Sequence, residues 1–561
     1  MLKFLKSGGN YQPHKQNKTI RSISNPFFEF CLGIASVLIA TTHSAIAAET
    51  IAIRYNISKA FISVKDLETF AKTGDVSPIL SIYGKALKVE DGEKLRQLLL
   101  TPMTASPWSI EQFNNTPMGM TILTRFGNFI QTDNDQKGVN ALKSAINQAS
   151  NLPGGLTLLG VLQKFPGQTL EIDVNFAITA IRDLSQVIYE DKSVINWINQ
   201  QAKTQIDNPA INNRPTQLKD PGTIQWKKET FTYEHPQRNI SSPVDVYIPQ
   251  VSTSTPVIVI SHGLGSDRTT FKYLAEHLAS HGYFVAVPEH LETSSTGLAN
   301  FLAGNAPPPG PEVFINRPLD ITSVLNLLEK KAKSSAFPSE LQLNNVGVLG
   351  QSYGGYTALA LAGAGFNTTK INQECEQSAN RQLTLNISIL LQCQATSIAN
   401  KGYDLKDERV KAIIAINPIT SVVFGQEGMS KIQIPALMIG GSDDYIAPAV
   451  PEQINPFSWL TSLNKYLILL DRGTHFSFLE PGEESVLPVP PQLIGPDPEL
   501  AFPVLKAISL VFFNSYIRNQ TEYLPYLNAG FIQGNETTPF NLSIVNSLTQ
   551  EEIQSAISQH R

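Results

Sequence analysis

The chain has 561 residues, of which 42% are hydrophobic and 16% are charged, and its formal net charge is −5 at pH 7. This length exceeds what one ordinary hydrophobic core supports, so at least two domains are expected. The small negative charge and the absence of a basic stripe in the sequence argue against a nucleic-acid partner.

The first 47 residues have the pattern of an export signal. Basic residues precede a short apolar run at 30–40, and an Ala-Ile-Ala cleavage pattern follows at 45–47. We therefore predict a signal peptide cleaved near Ala47 and an exported protein, either periplasmic or extracellular. An uncleaved membrane anchor is the alternative, although the apolar run is shorter than a spanning helix needs.

Helix-type spacing of apolar residues dominates from residue 48 to residue 205. The helix predicted at 64–73 has Ser63 as its N-cap and Gly74 directly after its end. Similar spacing covers four further segments, namely 93–100, 138–148, 156–165 and 174–200. We predict a mainly α-helical accessory domain at 48–205, without a catalytic centre of its own, and a polar linker at 206–221.

From residue 222 the pattern changes to short apolar strands that alternate with helices. The predicted strands are 244–248, 257–260, 283–287, 346–349, 412–416, 436–439 and 466–470. This alternation predicts an α/β domain at 222–535 with a mostly parallel central sheet and flanking helices, followed by a tail at 536–561. Insertions at 291–317 and 366–407 interrupt the alternation and could line or cover a pocket.

The second insertion contains both cysteines that remain after signal cleavage, Cys375 and Cys393. In an oxidising compartment two cysteines this close are expected to form a disulfide. Two buried free thiols are the alternative.

Residues 350–354, Gly-Gln-Ser-Tyr-Gly, join the strand at 346–349 to a helix-favouring run at 357–362. In a strand–turn–helix context this G-x-S-x-G pattern is typical of a nucleophile elbow. The turn is too tight for side chains on either flank, which explains Gly350 and Gly354. We therefore predict that Ser352 is a catalytic nucleophile held at the tip of the turn.

A serine nucleophile of this kind needs a histidine base and an acid that orients the histidine. In α/β domains with a nucleophile elbow, the order along the chain is serine, then acid, then histidine. Two histidines follow Ser352, and one of them, His560, is the penultimate residue. His475 lies in a short loop after the strand at 466–470, so we predict it as the base. A surface loop histidine is the alternative.

The acid of the triad should follow the strand at 436–439. Asp443 and Asp444 both lie in the turn there, and from their position either could hold the imidazole of His475. Asp471 ranks last, because it ends the strand that delivers the histidine.

An oxyanion hole needs two backbone N–H groups that point at one oxygen atom. Tyr353, directly after the nucleophile, is expected to supply one. The segment Ser-His-Gly-Leu-Gly at 261–265 follows an early strand, so Leu264 is expected to supply the other. His262 precedes the nucleophile in the chain, so we expect it to brace this loop by hydrogen bonding and not to act as the base.

Two segments, SHGLG at 261–265 and ASHGYFVAVPEH at 279–290, resemble the secreted platelet-activating-factor acetylhydrolases of the α/β-hydrolase superfamily. The whole layout, with SVKDLETFAKTG at 63–74, resembles exported cyanobacterial α/β-hydrolases labelled dienelactone-hydrolase-like, which carry an N-terminal helical domain of unknown role. The resemblance implies Ser352 as nucleophile, His475 as base, and Leu264 and Tyr353 as oxyanion donors.

The chain departs from these relatives at three points. Gln351 stands where the acetylhydrolases have histidine, and a true dienelactone hydrolase uses cysteine where this chain has Ser352. The segment DYIAP at 444–448 is similar to cutinase-like bacterial polyesterases, in which the first aspartate is catalytic. That similarity favours Asp444 as the acid over Asp443.

The sequence thus predicts an exported serine hydrolase that cleaves carboxylic esters, lipid or short-chain, through an acyl-enzyme intermediate, without metal or cofactor. The expected partner is a small-molecule or lipid ester, with contact to a membrane surface left open and the oligomeric state undefined. An acyltransferase, a thioesterase, a cutinase-like polyester hydrolase and a non-catalytic binding protein remain alternatives.

Overall fold

The computed structural model describes residues 48–558 except 56–57, 87–91, 104, 133–137, 174–189, 204–217, 236–237, 335–336, 338, 379–385, 481–490 and 534–539. The predicted signal peptide, most of the predicted linker and the first part of the helix expected at 174–200 lie outside the described residues. The described residues divide into two compact units, one comprising 48–173 and 301–308 and the other 190–300, 309–378 and 386–558.

The first unit opens its helical part at Val64–Thr73, the bounds that the sequence predicts. Ser63 Oγ accepts hydrogen bonds from the backbone N–H groups of Lys65 and Asp66, which satisfies donors at the helix start. Gly74 ends the helix with φ of 82°, a conformation that glycine adopts without strain. The other helices are Pro78–Ala86, Gly92–Leu100, Pro107–Asn114, Pro117–Gly127, Val139–Ser150 and Leu158–Gln163.

The first unit also contains a four-stranded sheet that the sequence analysis missed. Its strands are β1 (Thr50–Tyr55), β2 (Ser58–Ser63), β3 (Ile130–Gln131) and β4 (Thr169–Asp173), in the order β2-β1-β4-β3. β1 runs parallel to β4, whereas β2 and β3 are antiparallel to their neighbours. The unit is therefore a mixture of helices and a small sheet, and not a purely helical bundle.

The second unit is built on a nine-stranded sheet. Its strands are β5 (Trp226–His235), β6 (Ile240–Pro249), β7 (Thr255–Ser261), β8 (Phe284–Pro288), β9 (Leu341–Gln351), β10 (Val410–Ile416), β11 (Ala436–Gly441), β12 (Lys465–Leu470) and β13 (Leu542–Val545). Their order is β13-β12-β11-β10-β9-β7-β8-β6-β5. The six strands from β12 to β8 are parallel, and antiparallel pairing begins at each end. The predicted mostly parallel sheet is confirmed.

Both faces of this sheet are buried. In β7, Val257 and Val259 pack into the hydrophobic cluster on one face, and Ile258 and Ile260 pack into the cluster on the other. Continuous apolar strands are what a sheet covered on both sides requires. The helices described from residue 272 onward are Lys272–Ser280, Ser295–Ala303, Val313–Lys333, Tyr353–Leu361, Thr368–Ser378, Ser388–Gln392, Gly425–Met429, Asn455–Trp459, Pro491–Ile494, Phe502–Tyr516, Ala529–Gln533 and Gln550–Ser558.

Two segments pack differently from the sequence expectation. Residues 190–203 are helical, and Val194, Ile195 and Ile198 lie in a core cluster of the second unit, although the sequence analysis assigns them to the accessory domain. The expected tail at 536–561 supplies β13, which extends the sheet beside β12.

In the second insertion, Cys375 and Cys393 form the predicted disulfide. It joins the helix Thr368–Ser378 to the short 3₁₀ segment Cys393–Ser397. Across the part of the chain described here, no helix has the length and apolar character needed to cross a membrane.

Candidate active site

β9 runs into Ser352, which adopts φ of 54° and ψ of −116°, and the helix Tyr353–Leu361 begins directly after it. A non-glycine residue with positive φ is strained, and such strain concentrates at functional sites. A Cβ at Gly350 would lie 2.1 Å from the Gly354 carbonyl oxygen, and a Cβ at Gly354 would lie 2.0 Å from the Ser261 carbonyl oxygen. Both glycines are therefore required by close backbone packing, as the elbow pattern predicts.

The structure brings His475 and Asp444 together at the ends of β12 and β11. His475 Nδ1 lies 2.7 Å from Asp444 Oδ2, and the residues are 7% and 3% exposed. The other carboxylate oxygen, Oδ1, accepts hydrogen bonds of 2.8 Å from the backbone N–H groups of Ile446 and Ala447. These two bonds fix the carboxylate, so that Oδ2 alone faces the imidazole.

The two competing aspartates are directed elsewhere. Asp443 Oδ1 accepts a hydrogen bond of 3.3 Å from Ser442 Oγ, and burial raises the pKa of its carboxyl group above the ordinary value. Asp471 Oδ2 accepts a hydrogen bond of 3.2 Å from Asn541 Nδ2, beside β13. Among the three aspartates that the sequence leaves open, the hydrogen-bond partner of His475 is thus Asp444.

Two amide side chains connect the turn at Ser352, the end of β11 and the loop that carries His475. Gln351 Nε2 donates a hydrogen bond of 3.0 Å to the His475 carbonyl oxygen, so the residue before Ser352 holds the histidine backbone. Asn417, after β10, accepts from Gly441 N–H at 3.1 Å and donates to the Thr474 carbonyl oxygen at 3.1 Å. Sequence reasoning did not find these roles; the one signal was the unusual glutamine before the nucleophile.

The loop after β7 lies against the nucleophile. A Cβ at Gly263 would lie 2.5 Å from Gln351 Oε1 and 3.4 Å from Ser352 Cβ, so glycine allows the loop backbone to approach the serine. His262 is fully buried, and its ring hydrogen-bonds the Gly263 carbonyl oxygen at 2.8 Å. The expectation that His262 braces this loop is confirmed.

The two predicted oxyanion donors flank this contact. Leu264 lies in the loop with 38% of its surface exposed, and Tyr353 begins the elbow helix with its side chain fully buried. The Tyr353 ring packs 4.9 Å from Phe314 and 5.1 Å beneath the guanidinium of Arg317. The side chain of Tyr353 is therefore part of the core.

Among the described residues, no group of three or more His, Cys, Asp or Glu side chains is placed to hold a metal ion.

Known proteins share parts of this sequence. A family model described as an alpha/beta hydrolase of unknown function (DUF1400) matches residues 47–173, and the model of platelet-activating factor acetylhydrolase, isoform II, matches residues 241–308. Chlorophyllase-1 of Arabidopsis thaliana is 30% identical over 122 residues, which are 21% of this chain and 32% of the chlorophyllase. The match therefore spans about a third of the length of that curated relative.

The acetylhydrolase match covers β7, the loop at 262–265 and β8, which is the region that carries the resemblance noted from the sequence. The names of both relatives denote hydrolases. Together with the mostly parallel nine-stranded sheet, these matches support an assignment of the chain to the α/β-hydrolase superfamily.

Proposed function

We propose that this protein is an exported serine hydrolase that cleaves carboxylic esters through an acyl-enzyme intermediate. The observation that carries the proposal is the 2.7 Å hydrogen bond between His475 Nδ1 and the buried Asp444. Gln351, directly before the strained Ser352, hydrogen-bonds the His475 carbonyl oxygen and so ties the two loops together. A buried carboxylate on Nδ1 is the arrangement that prepares an imidazole to accept a serine proton.

The proposed reaction follows from the proton positions. Because Nδ1–H of His475 is donated to Asp444, Nε2 carries the lone pair that can accept the hydroxyl proton of Ser352. The serine oxygen attacks the acyl carbon, and His475 then returns the proton to the departing alcohol. Water, activated by the same nitrogen, releases the acid and restores the free serine.

The negative charge on the carbonyl oxygen needs stabilisation in the transition state. In the proposal, the backbone N–H groups of Leu264 and Tyr353 supply it. The close packing of Gly263 against Gln351 and Ser352 supports this role for the loop. Preorganised donors of this kind are worth about 10²- to 10³-fold in rate each.

The proposed substrate is a lipid or short-chain acyl ester. The names of the two relatives, an acetylhydrolase of platelet-activating factor and a chlorophyllase, support ester cleavage in lipid-like molecules. The Cys375–Cys393 disulfide is compatible with export to an oxidising compartment. Acyl transfer, thioester cleavage and polyester cleavage use the same groups, and product analysis with competing alcohols, thioesters and polyesters distinguishes them.

A serine-directed fluorophosphonate tests the proposal directly. We expect it to label Ser352, and we expect Ser352→Ala to lower kcat on a chromogenic short-chain ester by about 10³-fold or more without loss of folding. The matched control is Ser334→Ala, which removes an exposed serine at the end of the helix Val313–Lys333. Absence of both labelling and turnover in the wild-type protein would instead favour a binding protein on the same fold.

A further inference from the structure

A second Ser–His–Asp arrangement lies in the core of the catalytic unit. His290 Nε2 is 2.9 Å from Ser261 Oγ, and His290 Nδ1 is 2.7 Å from Asp320 Oδ2. Ser261 is 0% exposed, and His290 and Asp320 are each 1% exposed. No substrate can reach this serine, so the arrangement is not a second catalytic centre and requires another explanation.

Arg317 and His262 connect this arrangement to the oxyanion loop. Arg317 is fully buried, and its Nη2 donates hydrogen bonds to the His262 carbonyl oxygen and, at 3.3 Å, to Ser261 Oγ. The backbone N–H of His290 donates to His262 Nε2 at 3.0 Å. We call these five residues, Ser261, His262, His290, Arg317 and Asp320, the buried relay.

The hydrogen bonds of the buried relay determine where its protons are. Because the His290 backbone N–H occupies Nε2 of His262, the proton of that ring is on Nδ1 and is donated to the Gly263 carbonyl oxygen. Nδ1–H of His290 donates a hydrogen bond to Asp320. Nε2 of His290 therefore has a free lone pair and accepts a hydrogen bond from the Ser261 hydroxyl group. Burial lowers the pKa of His262 well below its ordinary range and that of His290 to about 4, which keeps both rings neutral near pH 7.

The bond from His262 to Gly263 has a consequence for Leu264. In a trans peptide the carbonyl group and the N–H group of the next residue point in opposite directions. Holding the Gly263 carbonyl on the His262 ring therefore directs the Leu264 N–H away from that ring. Gly263 itself packs against Ser352, so this peptide borders the place where the reacting carbonyl would lie.

We propose that the buried relay fixes the peptide between Gly263 and Leu264 so that the Leu264 N–H faces the oxygen of the reacting carbonyl. Its members are positioning residues for oxyanion stabilisation. The proposal rests on the proposed esterase function, in which Leu264 is an oxyanion donor. A purely structural role for these buried groups would change folding stability but not the difference between substrate and transition-state binding.

The experiment compares His262→Phe with His262→Asn. Phenylalanine fills the space without a donor, whereas the asparagine amide can replace Nδ1–H toward the Gly263 carbonyl. We measure kcat and KM on a chromogenic ester, and the affinity for a trifluoromethyl ketone whose adduct with serine carries an oxyanion. His277→Phe is the matched control, because His277 is also buried, at 3% exposure, but lies on the helix Lys272–Ser280 outside the buried relay.

We expect His262→Phe to lower kcat by about 10²-fold, with KM nearly unchanged and an equal loss of affinity for the trifluoromethyl ketone. His262→Asn should stay within about tenfold of wild type, and His277→Phe should match wild type on both measures. The proposal is overturned by wild-type kcat in His262→Phe, by unchanged inhibitor affinity despite a lower kcat, or by equal losses in the Phe and Asn variants.

If His262→Phe does not fold, Ser261→Ala carries the test, because it removes one hydroxyl that joins His290 to Arg317. We expect it to lower kcat and inhibitor affinity together by about tenfold, and wild-type values would overturn the proposal. Fluorophosphonate labelling of Ser352 in the wild type separates the two hypotheses. If the wild type is labelled and turns over the ester but the His262 and Ser261 variants behave like it, only the proposal about the buried relay is refuted. If the wild type shows neither labelling nor turnover, the esterase function is refuted, and the proposal about the buried relay with it.

Discussion

Replacing Asp444 by asparagine should abolish most of the proposed esterase activity, because of the hydrogen bonds that this carboxylate makes. Oδ1 of Asp444 accepts two backbone N–H groups at 2.8 Å, and Oδ2 accepts His475 Nδ1–H at 2.7 Å. An asparagine must keep its carbonyl oxygen on the two N–H donors, so its NH₂ group faces His475. The imidazole must then present a lone pair at Nδ1, which moves its proton to Nε2 and removes the base.

The expected size of this effect is about 10⁴-fold in kcat, as for other triad aspartates changed to asparagine. That factor corresponds to about 5.4 kcal/mol in the activation barrier. Asp443→Asn is the matched control, since Asp443 is adjacent in sequence but hydrogen-bonds Ser442 and not the imidazole. We expect it to cost less than about tenfold, near 1.4 kcal/mol.

The assay is steady-state hydrolysis of a chromogenic short-chain ester, with thermal unfolding measured on both variants to show that they fold. A larger loss of kcat for Asp443→Asn than for Asp444→Asn would refute the assignment of the acid. Full activity in Asp444→Asn would refute the argument from the fixed carboxylate as well.

Three further predictions concern stability. Replacing both Cys375 and Cys393 by alanine should lower the free energy of unfolding by about 3 kcal/mol, as measured by urea titration, because the disulfide closes a loop with a sequence separation of 18; an unchanged urea midpoint would contradict this. Glu452 is fully buried and accepts hydrogen bonds from Gln392 Nε2 and from the backbone N–H groups of Thr420 and Ser421. Glu452→Ala leaves these donors without their acceptor, so it should lower the free energy of unfolding by at least about 3 kcal/mol in the same titration. A loss below about 1 kcal/mol would contradict this, because it would show that the site can relax. The pKa of His290 is about 4 in the folded protein, lowered by burial, and about 6.5 when unfolded, so the unfolded chain binds more protons between these values. The contribution of His290 to the free energy of unfolding should therefore be fully present above about pH 6.5 and fall by about 2 kcal/mol at pH 5; a constant free energy of unfolding over that range would contradict the buried neutral ring.

Local patterns predicted those elements whose signals are contained within a few residues. The helix Val64–Thr73 was found with both ends, because Ser63 caps it and Gly74 ends it by backbone conformation alone. The central strands were found because burial on both faces makes them continuously apolar. The edge strand β5 was missed because Lys227, Lys228 and Glu229 interrupt its apolar pattern, as suits a strand with one unpaired side.

The residues of the candidate site also fall into those that local sequence patterns predict and those that they do not. Ser352 could be placed from its motif, and His475 from its order in the chain and the strand before it. The contacts of Gln351 and Asn417 could not be predicted, because each joins segments that are distant in sequence and meet only in the folded sheet. The choice among three aspartates depended on a resemblance, whereas in the structure it depends on which carboxylate the backbone holds toward the imidazole.

The strand β13 has a consequence for handling and engineering the protein. It pairs antiparallel along β12, from Leu467 opposite Val545 to Leu470 opposite Leu542, on the side of β12 that faces away from β11. Proteolytic removal of β13 would leave β12 as a bare, apolar template to which strands of other molecules can add. β12 leads into the loop that carries His475, so cleavage before β13 should cause aggregation and loss of the proposed activity together, although every residue of the proposed triad is still present in the fragment.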